Sequence, residues 1–139
     1  MPFENIEKSE LVIATILRIL NDRGIRGGTL QFGELDLSDE YFPFFATCFG
    51  WLQSEGIVRA EKVTVISADG DDEANDLYIY NPALTAHGFS LMGQSVRVGG
   101  ANTTLRDAVE THLSSRPSGW QIGDLVGAII GGFTKSIGS

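Results

Sequence analysis

Few residues of this 139-residue chain have the type and spacing that site chemistry requires. The densest cluster is the acidic segment Asp69–Asp76, whose carboxylates suggest a calcium loop. An EF-hand loop needs a glycine at its sixth position and a glutamate at its twelfth. Counted from Asp69, these positions hold Ala74 and Tyr80. We therefore interpret the segment as the solvated tip of a β-hairpin and predict no metal site.

A second segment, Gly131–Ser136, superficially resembles a phosphate-binding loop. Such a loop has a glycine directly before its lysine and a strand in front of it. Here Thr134 precedes Lys135, and no strand-like run leads into the segment. The sequence therefore predicts no nucleotide binding by this route and no other cofactor.

Nucleophilic chemistry lacks a suitable set of side chains as well. The one cysteine, Cys48, lies on an apolar helix face, whereas a reactive thiolate needs an electropositive setting and a histidine partner. His87 and His112 have no metal-ligand spacing to each other or to Cys48. We predict no catalytic and no metal-binding residues, and hence a protein that is not an enzyme.

The charge of the chain is acidic and unevenly distributed. The net charge is −8. Residues 1–95 carry six Lys/Arg and fifteen Asp/Glu, a net −9, while residues 96–139 carry four and three, a net +1. An acidic protein is not drawn to phosphate backbones or anionic lipid. Without a secretory signal or an apolar run of membrane-spanning length, we expect a cytoplasmic protein, by default of bacterial or phage origin.

Hydrophobic periodicity predicts the elements that would position any site. An apolar stripe that includes Ile6 and Ile13 predicts a helix over residues 6–23, and Gly24 is placed to end it. A second helix is predicted over residues 39–55, with Phe45 and Phe49 in the core. Residues 29–37 fit either a short strand or a short helix.

The middle of the chain predicts a hairpin followed by a capped helix. Alternating apolar residues over 62–67 and 77–80 indicate two paired strands with a polar turn between them. Thr85 is a typical N-cap for a helix over residues 84–92. Together these elements predict an α+β domain over residues 4–92.

Two segments resemble parts of the winged-helix domain. Phe49–Arg59 (FGWLQSEGIVR) resembles the run that leads into the wing, and Leu84–Leu91 (LTAHGFSL) resembles the start of the closing helix. With a hairpin between them, they make residues 4–92 similar to the winged-helix (winged helix-turn-helix) superfamily. The resemblance implies that the helix before the hairpin wing would read the major groove of DNA.

The charges disfavour that role. Between Thr29 and Gly56 the chain has five carboxylates and no Lys or Arg, and the predicted wing, 61–82, has six carboxylates and one Lys. Base and phosphate contacts depend heavily on Arg and Lys. The alternative of a DNA-binding transcriptional regulator would need another face of the domain. Its contacts would come from four cations that must then cluster in space: Arg23, Arg26, Arg59 and Lys62.

The C-terminal third predicts a glycine-containing hinge at 93–102 and a helical extension at 103–138. A first helix is expected over Thr103–Ser115, capped by Asn102 or Thr103. A second, amphipathic helix over 119–137 contains four glycines inside it, Gly123, Gly127, Gly131 and Gly132, which cost together roughly 3–4 kcal/mol relative to alanine. It should therefore form only when docked on its own domain, on another subunit or on a bilayer. The i, i+4 spacing of three of these glycines permits close helix packing.

The predicted function is a non-enzymatic protein–protein interaction module that self-associates as a homo-oligomer or binds a partner through its C-terminal helices. A peripheral membrane protein anchored by the 119–137 helix is a further alternative. That helix has only Lys135 on a polar face that is usually rich in Lys and Arg. The candidate interface residues are Tyr41, Phe44, Trp120, Ile122, Gly123, Val126, Gly127, Ile130, Gly131 and Phe133.

Overall fold

The computed structural model describes residues 4–68, 71–98 and 101–114, together with Gly127 and Ile129. In these parts of the chain, helices pack on small antiparallel sheets, which makes the fold α+β, as predicted. The elements in chain order are α1 (Glu4–Arg23), β1 (Thr29–Leu30), 3-10 helices at Phe32–Leu35 and Asp39–Tyr41, α2 (Phe42–Ser54), β2 (Val58–Arg59), β3 (Lys62–Ala68), β4 (Asp71–Tyr80), β5 (Ala83–Leu84), α3 (Ala86–Gly93), β6 (Ser95–Val98), β7 (Ala101–Thr104) and α4 (Leu105–Ser114).

Helix α1 runs through the centre of the domain. Its buried stripe includes Val12, Ile16 and Leu20, each without exposed surface. Gly24 ends the helix in the left-handed region at φ +62°, and its N–H donates to the carbonyl of Leu20 at 3.1 Å. The predicted helix is thus confirmed, including its stop.

Helix α2 also follows the prediction. A 3-10 helix at Asp39–Tyr41 leads into it, and Pro43 lies in its first turn, where the missing N–H costs little. Phe45 and Phe49 are fully buried. The ring of Phe32 lies edge-on to Phe45 with 6.0 Å between centroids, so α2 is fixed against the segment that follows β1.

The main sheet has the strand order β1-β4-β3. Strands β3 and β4 form the predicted hairpin, with Val63 opposite Ile79. Strand β4 begins at Asp71, so most of the predicted polar turn belongs to a strand. Leu30 of β1 pairs with the same Ile79 from the other side. The ambiguous segment 29–37 is therefore a strand first and a 3-10 helix afterwards.

Helix α3 lies in one of the two segments that carry the sequence resemblance, and its first turn contacts the other. The hydroxyl of Thr85 caps α3 by accepting from the N–H of Gly88 at 2.9 Å, as predicted, and it donates to the carbonyl of Gly56 at 2.6 Å. A Cβ on Gly88 would lie 2.2 Å from the carbonyl oxygen of Ile57. Glycine is therefore required where α3 crosses the chain between α2 and β2.

The C-terminal elements differ from the predicted hinge and extension. Residues 93–102 contain the end of α3 and part of the β6–β7 hairpin, in which Val96 pairs with Thr103. Glycine-rich sequence is as typical of hairpins as of hinges. Helix α4 packs on α1, and its buried residues Leu105 and Val109 join the main core. Its cap is Thr104, whose hydroxyl accepts from the N–H of Asp107 at 3.1 Å, rather than Asn102 or Thr103.

No helix in the described part of the chain is long and apolar enough to cross a membrane.

Candidate functional site

An apolar groove opens between α1 and α2. Its volume is about 440 Å³. We call it the α1–α2 groove, and its lining residues are Asn5, Ile6, Ser9, Ile13, Thr47, Cys48 and Trp51. None of these side chains is an acid or a base of the Asp, Glu, Lys, Arg or His type. An uncharged, mostly apolar concavity is suited to covering by another apolar surface.

Each helix contributes one face to this groove. Ile6, Ser9 and Ile13 recur along α1 at spacings of three and four residues, which places them on one side of the helix. Ile6 and Ile13 both belong to the apolar stripe that predicts this helix. Ile13 is 3% exposed, whereas Ile6 is 43% exposed and lines the groove.

Cys48 lies in the floor of the groove as an unreactive thiol. Its Sγ–H donates to the carbonyl of Ser9 at 3.8 Å. Burial raises the pKa of the Cys48 thiol to about 11, and the hydrogen bond to Ser9 lowers it only in part. The thiol is neutral at physiological pH, and the prediction that Cys48 is a small buried side chain is confirmed.

The outward side of α2 has no charge. Its exposed residues are Pro43, Thr47, Gly50, Gln53 and Ser54. A Cβ built on Gly50 would meet nothing within 4 Å, so this side of the helix is open. Because α2 precedes the β3–β4 hairpin, this is the surface that the winged-helix resemblance would assign to DNA, and it has no cation to offer.

Several aromatic residues around α2 are half-buried. Tyr41 and Phe44, the predicted interface residues, are half-buried and pack against the core. Trp51, which was not selected as an interface residue, lines the groove. Trp51 follows Thr47 by four residues, so a helical wheel of α2 places both on the face that lines the α1–α2 groove.

The four candidate DNA-contact cations do not all serve one surface. Arg23 donates from Nη1 to the carbonyl of Thr29 at 2.7 Å, and its Nη2 lies 3.5 Å from Oε2 of Glu34. It therefore holds the α1–β1 turn. Lys62 begins β3 opposite Tyr80 and does not line the cavity that holds the remaining two cations.

Those two, Arg26 and Arg59, line a second cavity of about 780 Å³, which we call the α3 cavity. The walls come from the turn after α1, from β2 and from the start of α3. Both arginines are exposed, and Glu61 lies on the same wall. The two arginines come from distant parts of the chain, so no local sequence signal indicates that they line one cavity.

The backbone around the α3 cavity is held by Asn81, which has φ +50°. Its N–H donates to the carbonyl of Gly28 at 2.7 Å, and its Oδ1 accepts from the N–H of Gly28 at 3.0 Å. Its Nδ2 donates to the carboxylate of Glu61. A Cβ on Gly27, at φ +86°, would lie 2.9 Å from Oδ1 of Asn81. This clamp orders the turn that carries Arg26.

Most of the C-terminal candidates lie outside the described residues: Trp120, Ile122, Gly123, Val126, Ile130, Gly131 and Phe133. Two residues of the predicted 119–137 helix are described, and both are helical. Ile129 is 1% exposed and belongs to the main buried cluster. Gly127 is exposed, and a Cβ built on it would meet nothing within 4 Å.

In the residues that the structure describes, no group of three or more His, Cys, Asp or Glu side chains could hold a metal ion. No protein-family model, curated protein or solved structure matches this chain.

Proposed function

We propose that this protein is a non-enzymatic protein–protein interaction module of the winged-helix type. The observation that carries the proposal is the uncharged α1–α2 groove, which adjoins an outward face of α2 that is equally free of charge. Its lining among the described residues contains no Asp, Glu, Lys, Arg or His that could activate a hydroxyl, and its one thiol is neutral at physiological pH.

The winged-helix assignment draws support from the order of the elements. A long helix, a short strand, a second helix and a β-hairpin follow one another, and the first strand pairs with the second strand of the hairpin. The two segments similar to winged-helix sequences also contact each other, through Gly88 against Ile57.

A role without DNA draws support from the cations. Helix α2 has no Lys or Arg, and Arg23 is engaged within the domain. A protein that binds duplex DNA in the usual winged-helix manner would need several phosphate contacts from this region.

The partner we propose for the α1–α2 groove is an amphipathic helix of another protein, with an apolar face and basic flanks. Helix-in-groove recognition places apolar side chains at helical spacing into such a concavity. Three carboxylates flank the two helices in sequence, Glu7 on α1, Asp39 before α2 and Glu55 after it, whereas Glu40 already forms an ion pair with Lys8 of α1. In a chain of net charge −8, these acids favour a basic partner over an acidic one.

The C-terminal segment would add self-association. Ile129 is buried in the main core cluster, which favours docking of this position on its own domain. The open position at Gly127 leaves room for a second helix on the glycine side. Light scattering of the full chain and of a chain ending at Ser114 tests this part, and equal masses per particle would contradict it.

The groove is tested with a synthetic amphipathic peptide of about five helical turns, with Leu and Ala on one face and Lys on its flanks. We expect calorimetry to show binding to the full chain. Ile6→Glu should weaken it about tenfold or more, because it places an unpaired carboxylate in the apolar contact. The matched control is Val65→Glu, since Val65 is an aliphatic residue 57% exposed on β3, away from the groove.

Three outcomes would overturn the proposal. One is equal affinity of the peptide for the Ile6→Glu and Val65→Glu proteins. Another is equal binding of a peptide in which Glu replaces every Lys. The third is tight, sequence-selective binding of duplex DNA in a gel-shift assay at low salt.

A further inference from the structure

We propose that the α3 cavity is a binding site for a small organic monoanion with an apolar body, such as an aromatic carboxylate. This site is separate from the groove assigned to a protein partner, because the two share no lining residue. Its volume of about 780 Å³ falls within the usual range for small-molecule pockets, about 300–1,000 Å³.

The charge of the cavity wall indicates an anion. Within the described part of the chain, the ion pairs are Lys8 with Glu40 and Arg23 with Glu34, so neither Arg26 nor Arg59 takes part in one. Two arginines that line one cavity suit a carboxylate, which accepts two parallel hydrogen bonds from a guanidinium group.

Glu61 restricts the charge of that anion. Its carboxylate lies on the cavity wall and accepts from Nδ2 of Asn81. Two arginines and one glutamate give the lining a net charge of +1. A monoanion therefore matches the site, whereas a di- or trianion such as a nucleotide phosphate would leave negative charge beside Glu61.

The apolar body of the ligand would lie on Ile25 and Phe89. Ile25 is 83% exposed, the largest exposure among the prominent exposed aliphatic and aromatic residues in the described parts. Phe89 is half-buried and lines the same cavity, as does the buried Leu84. An apolar ligand surface would remove the side chain of Ile25 from water.

Hydrogen bonds within the chain hold the residues of the cavity in place without a ligand. The Asn81 clamp orders the turn at Gly27 and Gly28 that carries Arg26. Arg59 is held in β2, opposite Ala83 of β5. Thr85 and Ala86 place the N-terminus of α3 on the wall, and the N-terminal end of a helix favours a negative charge.

The test uses indole-3-acetate as the probe and its neutral analogue indole-3-ethanol as the comparison, with amide NMR shifts of the 139-residue chain as the readout. We expect indole-3-acetate to shift amides of the turn after α1, of β2 and of the start of α3. Arg26→Gln and Arg59→Gln should each weaken its binding about tenfold or more, because each removes charged hydrogen bonds. Indole-3-ethanol should bind about tenfold more weakly than the anion.

Arg106→Gln is the matched control, since Arg106 is exposed on α4 and does not line the cavity. Affinity that survives both cavity substitutions, or falls equally in the control, would overturn the proposal. So would equal binding of the neutral analogue, or amide shifts that map to the α1–α2 groove instead. Since the peptide assay of the groove does not involve these arginines, either proposal can fail without the other.

Discussion

The α1–α2 groove and the α3 cavity show two ways in which one small domain forms a concave surface. The groove lies between two helices, and its lining repeats at helical spacing without a single charged side chain. The cavity is assembled from a turn, two short strands and a helix N-terminus, and it contains two arginines and a glutamate. Helix faces supply area for a partner, whereas turns bring distant charges together.

The largest expected effect concerns the packing of α3. Gly88→Ala would place a Cβ 2.2 Å from the carbonyl oxygen of Ile57, so the helix must shift. We expect a loss of about 3 kcal/mol in the free energy of unfolding, measured by urea denaturation. The same substitution should weaken binding of indole-3-acetate more than binding of the groove peptide.

Gly50→Ala provides the control for that substitution. Gly50 lies inside α2 on an open surface, so a methyl group fits there and restricts the unfolded chain. We expect a gain of about 0.5–1 kcal/mol in the free energy of unfolding. If Gly88→Ala were tolerated as well as Gly50→Ala, the close contact of α3 with Ile57 would be contradicted.

The next effect concerns the floor of the groove and depends on pH. The pKa of Cys48 rises from 9.0 to about 11 in the folded protein, mainly through burial. The folded state therefore holds the proton more tightly than the unfolded state. The protonated thiol therefore contributes to the free energy of unfolding below pH 9. As the pH rises towards 11, this contribution of about 2–3 kcal/mol is lost. Denaturation curves of the wild type and of Cys48→Ala should converge over this range, and parallel curves would contradict the buried thiol.

The smallest expected effect concerns the rim of the cavity. Ile25 is 83% exposed, so Ile25→Ser should change the free energy of unfolding by less than about 0.5 kcal/mol. The same substitution should weaken indole-3-acetate binding several-fold and leave the groove peptide unaffected. A thermal-melt comparison with titration of both probes would show whether the two sites are independent.

Several elements could be predicted from the sequence because their signals are local. The extent of α1 follows from its apolar stripe and from Gly24, which adopts φ +62°. The cap of α3 follows from Thr85, and the burial of Phe45 and Phe49 follows from the helical spacing of α2. Each of these features depends on residues within one or two helical turns.

Other features could not be predicted because their partners are distant in sequence. The exposure of Ile6 depends on what covers the N-terminal end of α1, and periodicity carries no information about that. The segment expected to be a hinge pairs with itself as the β6–β7 hairpin, which lets α4 pack on α1. Arg26 and Arg59 line one cavity, and the turn that carries Arg26 is held by the hydrogen bond between Gly28 and Asn81, 53 residues apart.

The sequence by itself determined that α1, α2 and α3 are helical, that β3 and β4 form a hairpin, that α1 ends at Gly24, and that the segment carrying α2 holds no cation. These properties depend on local backbone preference and on side-chain type. Only the tertiary structure decided which apolar residues remain exposed and which charges share a cavity. Burial and charge proximity are set by contacts between elements far apart in the chain, such as Leu30 with Ile79 and Gly88 with Ile57.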